Sequence, residues 1–369
     1  GKAGELAVPA KLSTEEERIV TEDSDSLMCG GNRSVDENSM SGRNGGEGLA
    51  VEETMETEFL QGIYVIQTEA DGRFIKRMKE YPTYEEAAGA CGVDEEILLL
   101  RQEISGKSEW YNGLMPPDNL NPESVKTFLK LTHEHYEEVF GGSFPKEVKG
   151  FFTDEPNCCD FFSVFHEGRP WIPWSIGFTE YFIEKRGYDP QEKLPYLFFD
   201  GEGAEKIRHD YWKTVAQRFE ESYMKQVYEW CDKRGLRTTG HILYENDLGY
   251  QTRVCGAAMP QLRYLHNPGI DLLGAQTDEY LTVKQCASVA HQYDRSMTIS
   301  EAYGCTGWEL DFSTQKWLGD WQFALGITRR CQHLALYSIT GCRKRDYPPV
   351  FNYQNTWWDD NDKMENYFG

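Results

Sequence analysis

From Phe59 onward the apolar positions recur with a period near two. FLQGIYVIQTE, an Asp71-Gly72 turn and RFIKRMKEY predict a β-hairpin, and EEILLLRQEIS predicts a further strand. The period then lengthens. Asn121 and Pro122 fit the cap and first turn of a helix, with Val125, Phe128, Leu129, Tyr136 and Val139 on one face, ended by Gly141 and Gly142. In VKGFFTDEP, a short apolar run reads as a buried strand through Val148, Phe151 and Phe152 that stops abruptly at Asp154 and Glu155. An aromatic loop follows, with Phe161, Phe162, Phe165, Trp171 and Trp174, then a helix through Phe178, Tyr181 and Phe182 that ends at Gly187. A long helix is predicted from about Ala204 to Lys233, with Gly235 at its C-terminal end. Further strands are expected in LRTTGHILYEND, in PGIDLLGAQ around Ile270 to Leu273, in MTISEAYG up to Glu301, and over HLALYSIT at 333 to 340. Helices through Val283 to His291 and Thr314 to Leu325 separate the later ones.

Six strands alternating with helices between about residue 96 and residue 340 predict an α/β fold, a (β/α)8 TIM-type barrel incomplete at its N-terminal strands. Residues 1–58 are polar and Gly-rich and read as a poorly structured or loop segment, with a short strand in ELAVPAKL; 59–369 read as the barrel catalytic domain.

The balance of 61 acidic against 38 basic residues, a net charge of −23, argues against a nucleic-acid partner, which requires a basic stripe. No apolar run approaches the ~18 residues of a spanning helix, so no membrane partner is expected. Ten cysteines lack paired CxxC spacing, which gives zinc no support. Cys231 and Cys286 lie in apolar helical patterns and read as reduced, buried thiols, favouring a reducing, cytoplasmic compartment. The 14% aromatic content includes 10 Trp and 21 Tyr, rings that serve packing and also stack on sugar faces.

Two strands ending in acids carry the candidate chemistry. Parallel strands of an α/β domain present their C-terminal ends on one face, so Glu155 and Glu301 are expected to share a pocket. A carboxyl pair there suits hydrolysis of a glycosidic bond in an oligosaccharide or glycoside substrate. Glu155, beside Asp154 and aromatic loops, is the better proton donor, and Glu301 the base, oriented by Tyr303. His241 either donates to a sugar hydroxyl or ties the strand exit to a loop. Trp308, Trp357 and Trp358 are either stacking platforms or packing residues; Arg343, Lys344 and Arg345 neutralise nearby acids. Inversion needs ~6.5–9.5 Å between the carboxyls; a gap of ~5–5.5 Å would make Glu301 the nucleophile of a retaining enzyme. A non-catalytic carbohydrate-binding protein is the remaining alternative.

The ordered series YNGLMPPDNLNPESVKTFLKLTHEHYEEVF, GFFTDEP, PWIPWSIGFTEYFIEKRGYDP, LPYLF, TTGHILYEND, NPGIDLL, ISEAYGCTGWELDF and HLALYSITGCRKRDYPPVFNYQNTWW resembles glycoside hydrolase family 106, the α-L-rhamnosidases, and their relatives. The likeness runs from about Trp110 to Trp358. It implies a (β/α)8 catalytic barrel, inverting hydrolysis of terminal α-L-rhamnosides and a dependence on calcium, for which no ligand is singled out. It also implies a fragment, truncated at both ends relative to the family. Carried over, Glu155 in TDEP corresponds to the general acid, Glu301 in SEAYG to the general base, and Glu245 in GHILYEND to a third acid that holds the metal or the water.

Overall fold

The computed structural model describes residues 60–107, 111–158 and 170–333, the backbone of 4–7, and the single positions 340, 360, 363 and 366. Strand β1 (Gly4–Ala7) falls where ELAVPAKL predicts one. The predicted hairpin is present: β2 (Leu60–Thr68) and β3 (Phe74–Tyr81) pair antiparallel with Ile63 opposite Tyr81. Its turn is set by Gly72, at φ +70°, and by the Arg73 N–H donating to Asp71 Oδ1 at 3.0 Å. Helix α1 (Tyr84–Ala90) starts where the Thr83 hydroxyl accepts from the Glu86 N–H at 3.2 Å, and β4 (Glu96–Ile104) then runs antiparallel to both β1 and β2.

Strand β4 was expected among the barrel strands and lies instead in this antiparallel sheet. The reason is burial on both sides. Leu98 and Leu100 enter the main core, while Ile97 and Leu99 pack with Ile63, Val65 and Ala87 on the opposite face. A strand covered twice loses its alternation and reads like a parallel one.

Next come α2 (Pro122–Leu131), α3 (His133–Phe140) and β5 (Gly150–Thr153). Asn121 caps α2, accepting from the Glu123 N–H at 3.0 Å. The single helix expected here is broken at Thr132, whose hydroxyl donates to the Phe128 carbonyl at 2.7 Å. Tyr136 and Val139, expected on the buried face, are exposed on α3. Strand β6 (Trp171–Trp174) lies in the stretch read as an aromatic loop and pairs with β1, burying Trp174. Helix α4 (Phe178–Arg186) stops at Gly187, and β7 (Asp200–Gly201) adds to β3, completing a sheet of order β6-β1-β4-β2-β3-β7. The long predicted helix is α5 (Ala204–Phe219) and α6 (Lys225–Asp232), joined by one π-helical turn, Glu220–Met224.

The remaining elements alternate. Strand β8 (Arg237–Gly240) is followed by α7 (Leu248–Cys255) and α8 (Ala258–Leu262), β9 (Asn267–Leu272), α9 (Leu281–Gln292), β10 (Ile299–Ala302), α10 (Phe312–Leu325) and β11 (Arg329–Gln332). Five parallel strands, in the order β11-β10-β9-β8-β5, form a curled sheet with helices between them, a partial α/β barrel. The strand expected over 333–340 lies largely outside the described residues, and RRCQ, which forms β11, has no apolar pattern to announce it. No strand pairs with the outer side of β5 among the described residues, and Phe152, expected to be buried, is 45% exposed there.

One cluster joins the two sheets: Tyr64, Leu100 and Trp174 from the first share it with Phe219, Leu236, Ile270 and Val283 around the second. Cys231 and Cys286 are buried free thiols, as their helical positions predict. Among the described residues no helix is long and apolar enough to cross a membrane.

Candidate active site

The C-terminal ends of the five parallel strands bring together six titratable side chains. Asp154 and Glu155 follow β5, His241 follows β8, Asp271 lies in β9, Glu301 in β10, and His333 follows β11. Register explains the alignment. Glu301 pairs with Asp271 across β10 and β9, so their side chains leave the same face of the sheet. His241 follows directly on Gly240, where the neighbouring strands leave no room for a side chain. A Cβ on Gly240 would lie 1.9 Å from the Thr153 carbonyl oxygen, and one on Gly269 would lie 2.4 Å from the carbonyl oxygen of Gly240. Gly240 also has φ +139°, open to glycine alone.

Consecutive residues on a strand point to opposite sides, yet Asp154 and Glu155 both face this pocket. Glu155 adopts φ +47°, a left-handed conformation that breaks the alternation. Its carboxylate lies within 4.8 Å of the His241 ring and of Asp271. On the other side, His241 Nε2 is 3.0 Å from Glu301 Oε2 and 3.4 Å from Asp154 Oδ1. His333 Nε2 lies 3.9 Å from Glu301 Oε1. The two glutamates thus approach one buried imidazole from separate strands.

Electrostatics separate the two. Burial pushes the Glu155 carboxyl above its ordinary range, and the charges of Asp154 and Glu301 push the same way against His241. Burial would raise Glu301 too, but the hydrogen bond and charge of His241, with His333 behind them, outweigh it and hold Glu301 low. Burial would lower His241, but the Glu301 hydrogen bond and the charges of Glu245, Asp271 and Glu301 carry it to about 9. Asp271 rises to about 7, chiefly by burial, with Glu301, Glu155 and Asp154 opposing the relief from His241. One carboxyl biased to keep its proton and one biased to lose it is the division that acid–base catalysis requires.

Other expected site residues fall elsewhere. Tyr303, expected to orient Glu301, is fully buried; its hydroxyl donates to the Gln315 carbonyl at 3.0 Å and lies 2.7 Å from the Arg330 guanidinium. Its backbone, at φ +77°, turns the ring behind β10 into a cluster with Ala302, Leu310 and Leu318. Glu245 lies behind the pocket, accepting from the Ile242 N–H at 3.1 Å and the Asp271 N–H at 3.0 Å, and is 6% exposed. It braces β8 against β9. Trp308, on the loop after β10, is 49% exposed, as a stacking ring would be. Trp357, Trp358, Arg343, Lys344 and Arg345 lie outside the described residues. Asp271 and His333 were not singled out in the sequence. Asp271 stands inside an apolar run, and only its pairing with Glu301 marks it; His333 is brought in by β11.

Among the described residues, two groups of side chains converge closely enough to hold an ion: Asp154, His241 and Glu301, and Glu155, His241 and Asp271. Both depend on an imidazole nitrogen. Calcium takes six to eight oxygen ligands, so neither group is a calcium site of the kind the resemblance implies, and no residue is assigned to that ion.

No family model matches the chain, and no curated protein matches it. Among solved structures it is similar to the rhamnosidase from Novosphingobium sp. PP1Y, with a TM-score of 0.56 and 20% sequence identity, over 75% of this chain and 27% of that one. The chain therefore spans about a quarter of the length of the structure it matches, and at this identity the likeness is one of fold: a partial α/β barrel with its strand ends on one rim.

Proposed function

We propose that this chain carries the catalytic rim of a glycoside hydrolase that acts on terminal α-L-rhamnosides by a two-carboxylate, inverting reaction. In this reading its five parallel strands belong to a (β/α)8 barrel. One observation carries the proposal: Glu155 and Glu301, from separate strands, meet around His241 with their proton affinities driven in opposite directions. The fold likeness to a rhamnosidase and the sequence motifs around both glutamates point to the sugar. Fold alone does not choose a substrate.

Glu155 delivers its proton to the glycosidic oxygen as the bond from that oxygen to the anomeric carbon breaks. A water molecule, losing its proton to Glu301, forms the new bond from the opposite face, and the product leaves with inverted configuration. Asp154 stays at the mouth of the pocket, 73% exposed, where a sugar ring would meet it.

A retaining reaction needs two carboxyls ~5–5.5 Å apart. Asp154 and Glu301 come within 4.8 Å of each other, so that pair, with Glu301 as nucleophile, is the specific alternative. The test is product release from a panel of aryl glycosides that includes the α-L-rhamnoside. Glu155→Gln and Glu301→Gln should each lower kcat by about 10²–10⁴-fold. Proton NMR of the newly formed anomer should give inversion. Retention would replace the mechanism, and no turnover of any glycoside would remove the hydrolase reading.

A further inference from the structure

We propose that Glu155, His241 and Asp271 form a binding site for a divalent cation of the zinc class, and that an ion held there removes Glu155 from service as a proton donor. The three side chains come from three strands: Glu155 follows β5, His241 follows β8 and Asp271 lies in β9. One ligand atom of each lies within 4.8 Å of the other two. Proximity alone would not mark a site, since acids gather at many strand ends. Two orphaned atoms mark this one. His241 is 1% exposed, and its Nδ1 is buried with no hydrogen-bond partner among the described residues. Asp271 Oδ1 is buried in the same condition. Buried polar atoms normally have partners, yet two members of one three-residue group each keep an atom unused.

The rest of the imidazole is already arranged as that of a ligand. Its Nε2 is 3.0 Å from Glu301 Oε2, so a proton there is donated to Glu301 and the lone pair falls to Nδ1. A metal-binding histidine characteristically donates its other ring N–H to a carboxylate in this way. The same bond makes Asp154 and Glu301 the support of the site, because the nitrogen they share is taken. Phe152 packs edge-on against the ring, with centroids 5.5 Å apart, and gives the site an apolar side. The left-handed turn at Glu155, φ +47°, brings in the second carboxylate.

One imidazole nitrogen and two carboxylates suit zinc, which takes three protein ligands and leaves a fourth position open; they do not suit calcium, which takes six to eight oxygens. The two carboxylates balance the charge of the dication, and the ion displaces any proton on Nδ1. The cysteine spacing that gives zinc no support in the sequence concerns thiolate sites, and no sulfur takes part here. A carboxylate bound to the ion has no proton to give, so zinc should silence the reaction assigned to Glu155. Only this last consequence rests on the hydrolase reading.

The binding test needs no substrate. Calorimetric titration of the chelator-stripped chain with zinc chloride should show a site that calcium chloride at the same concentrations does not fill. Glu155→Gln and Asp271→Asn should each weaken zinc at least about tenfold. Cobalt in place of zinc should give ligand-field absorption without a sulfur-to-metal charge-transfer band. Zinc affinity unchanged in both variants, no zinc binding, a thiolate band, or calcium bound as tightly as zinc overturns the proposal. Should Asp271→Asn, inside β9, fail to fold, Glu155→Gln carries the decision. On an aryl glycoside that the chain hydrolyses, saturating zinc should lower kcat/KM at least about tenfold and chelator should restore it. Full turnover with zinc bound overturns the placement of the ion on Glu155. Zinc bound as described, in a chain that hydrolyses no glycoside, supports the site and defeats the hydrolase reading alone.

Discussion

Glu245 stands four positions after His241 in the chain, yet the fold turns the two to opposite duties. His241 faces the pocket, whereas Glu245 is buried behind it with two backbone N–H groups on its oxygens. Burial carries its pKa from 4.5 to about 8, against the pull of His241. Asp271 moves from 3.8 to about 7, and His241 from 6.5 to about 9. All three folded-state values lie above the unfolded ones. The stability they contribute is therefore complete in acid and lost as pH rises through those values. Glu301, held low, acts oppositely: its contribution is present above 4.5 and lost as pH falls through its lower folded value. The three raised groups dominate above about pH 5, so Tm should fall steadily from about pH 5 to about pH 9. Glu245→Gln should flatten that fall while lowering stability by about 1–3 kcal/mol at acid pH, because its amide nitrogen meets an N–H that needs an acceptor. Thermal melts at intervals across this range decide it, and a flat or rising Tm in the parent chain would contradict it. At this scale the sequence marked the glutamates at strand ends, since an apolar run that stops at an acid is a local pattern. Asp271 stayed hidden because its meaning lies in the strand beside it.

Strand β8 shows the same division among elements. LRTTGH reads as a strand in the sequence, but the demand on Gly240 is visible only once Thr153 lies against it. Gly240→Ala would place a Cβ onto a backbone carbonyl at a φ that L-residues avoid. It should cost about 3 kcal/mol or more, measured as a lower midpoint in chemical denaturation, or leave the chain insoluble. A cost under about 0.5 kcal/mol would show that β5 and β8 are not so close. Elements with local punctuation were legible: the Asp71-Gly72 hairpin, α2 behind Asn121 and Pro122, and α4 ending at Gly187. Those without it were not. The residues RRCQ are a strand because β10 offers a parallel edge to pair with, and WIPW is one because β1 does. Neither cause can be read within the segment itself.

Across the whole molecule, one core binds the antiparallel sheet to the partial barrel. Leu100, on β4, is fully buried in the cluster that also contains Ile270 and Val283. Leu100→Ala should therefore lower stability by about 2–5 kcal/mol and should weaken both sheets together. Amide exchange in β2 and in α9 should report the same opening, and near-UV circular dichroism should give one transition. Separate transitions would show two independently folding units. The sequence by itself determined the α/β alternation, the hairpin, the helix caps and the two strand-end glutamates, because each depends on the period of apolar residues and on the backbone preferences of Gly, Pro and Asn over a few positions. Tertiary structure alone decided that β4 leaves the barrel, that Tyr303 turns inward, and that Asp271 and His333 join the pocket. It alone set His241 between the carboxylates. These outcomes follow from how closely separate strands approach and from the charge that burial gathers there, quantities that arise only when distant segments meet.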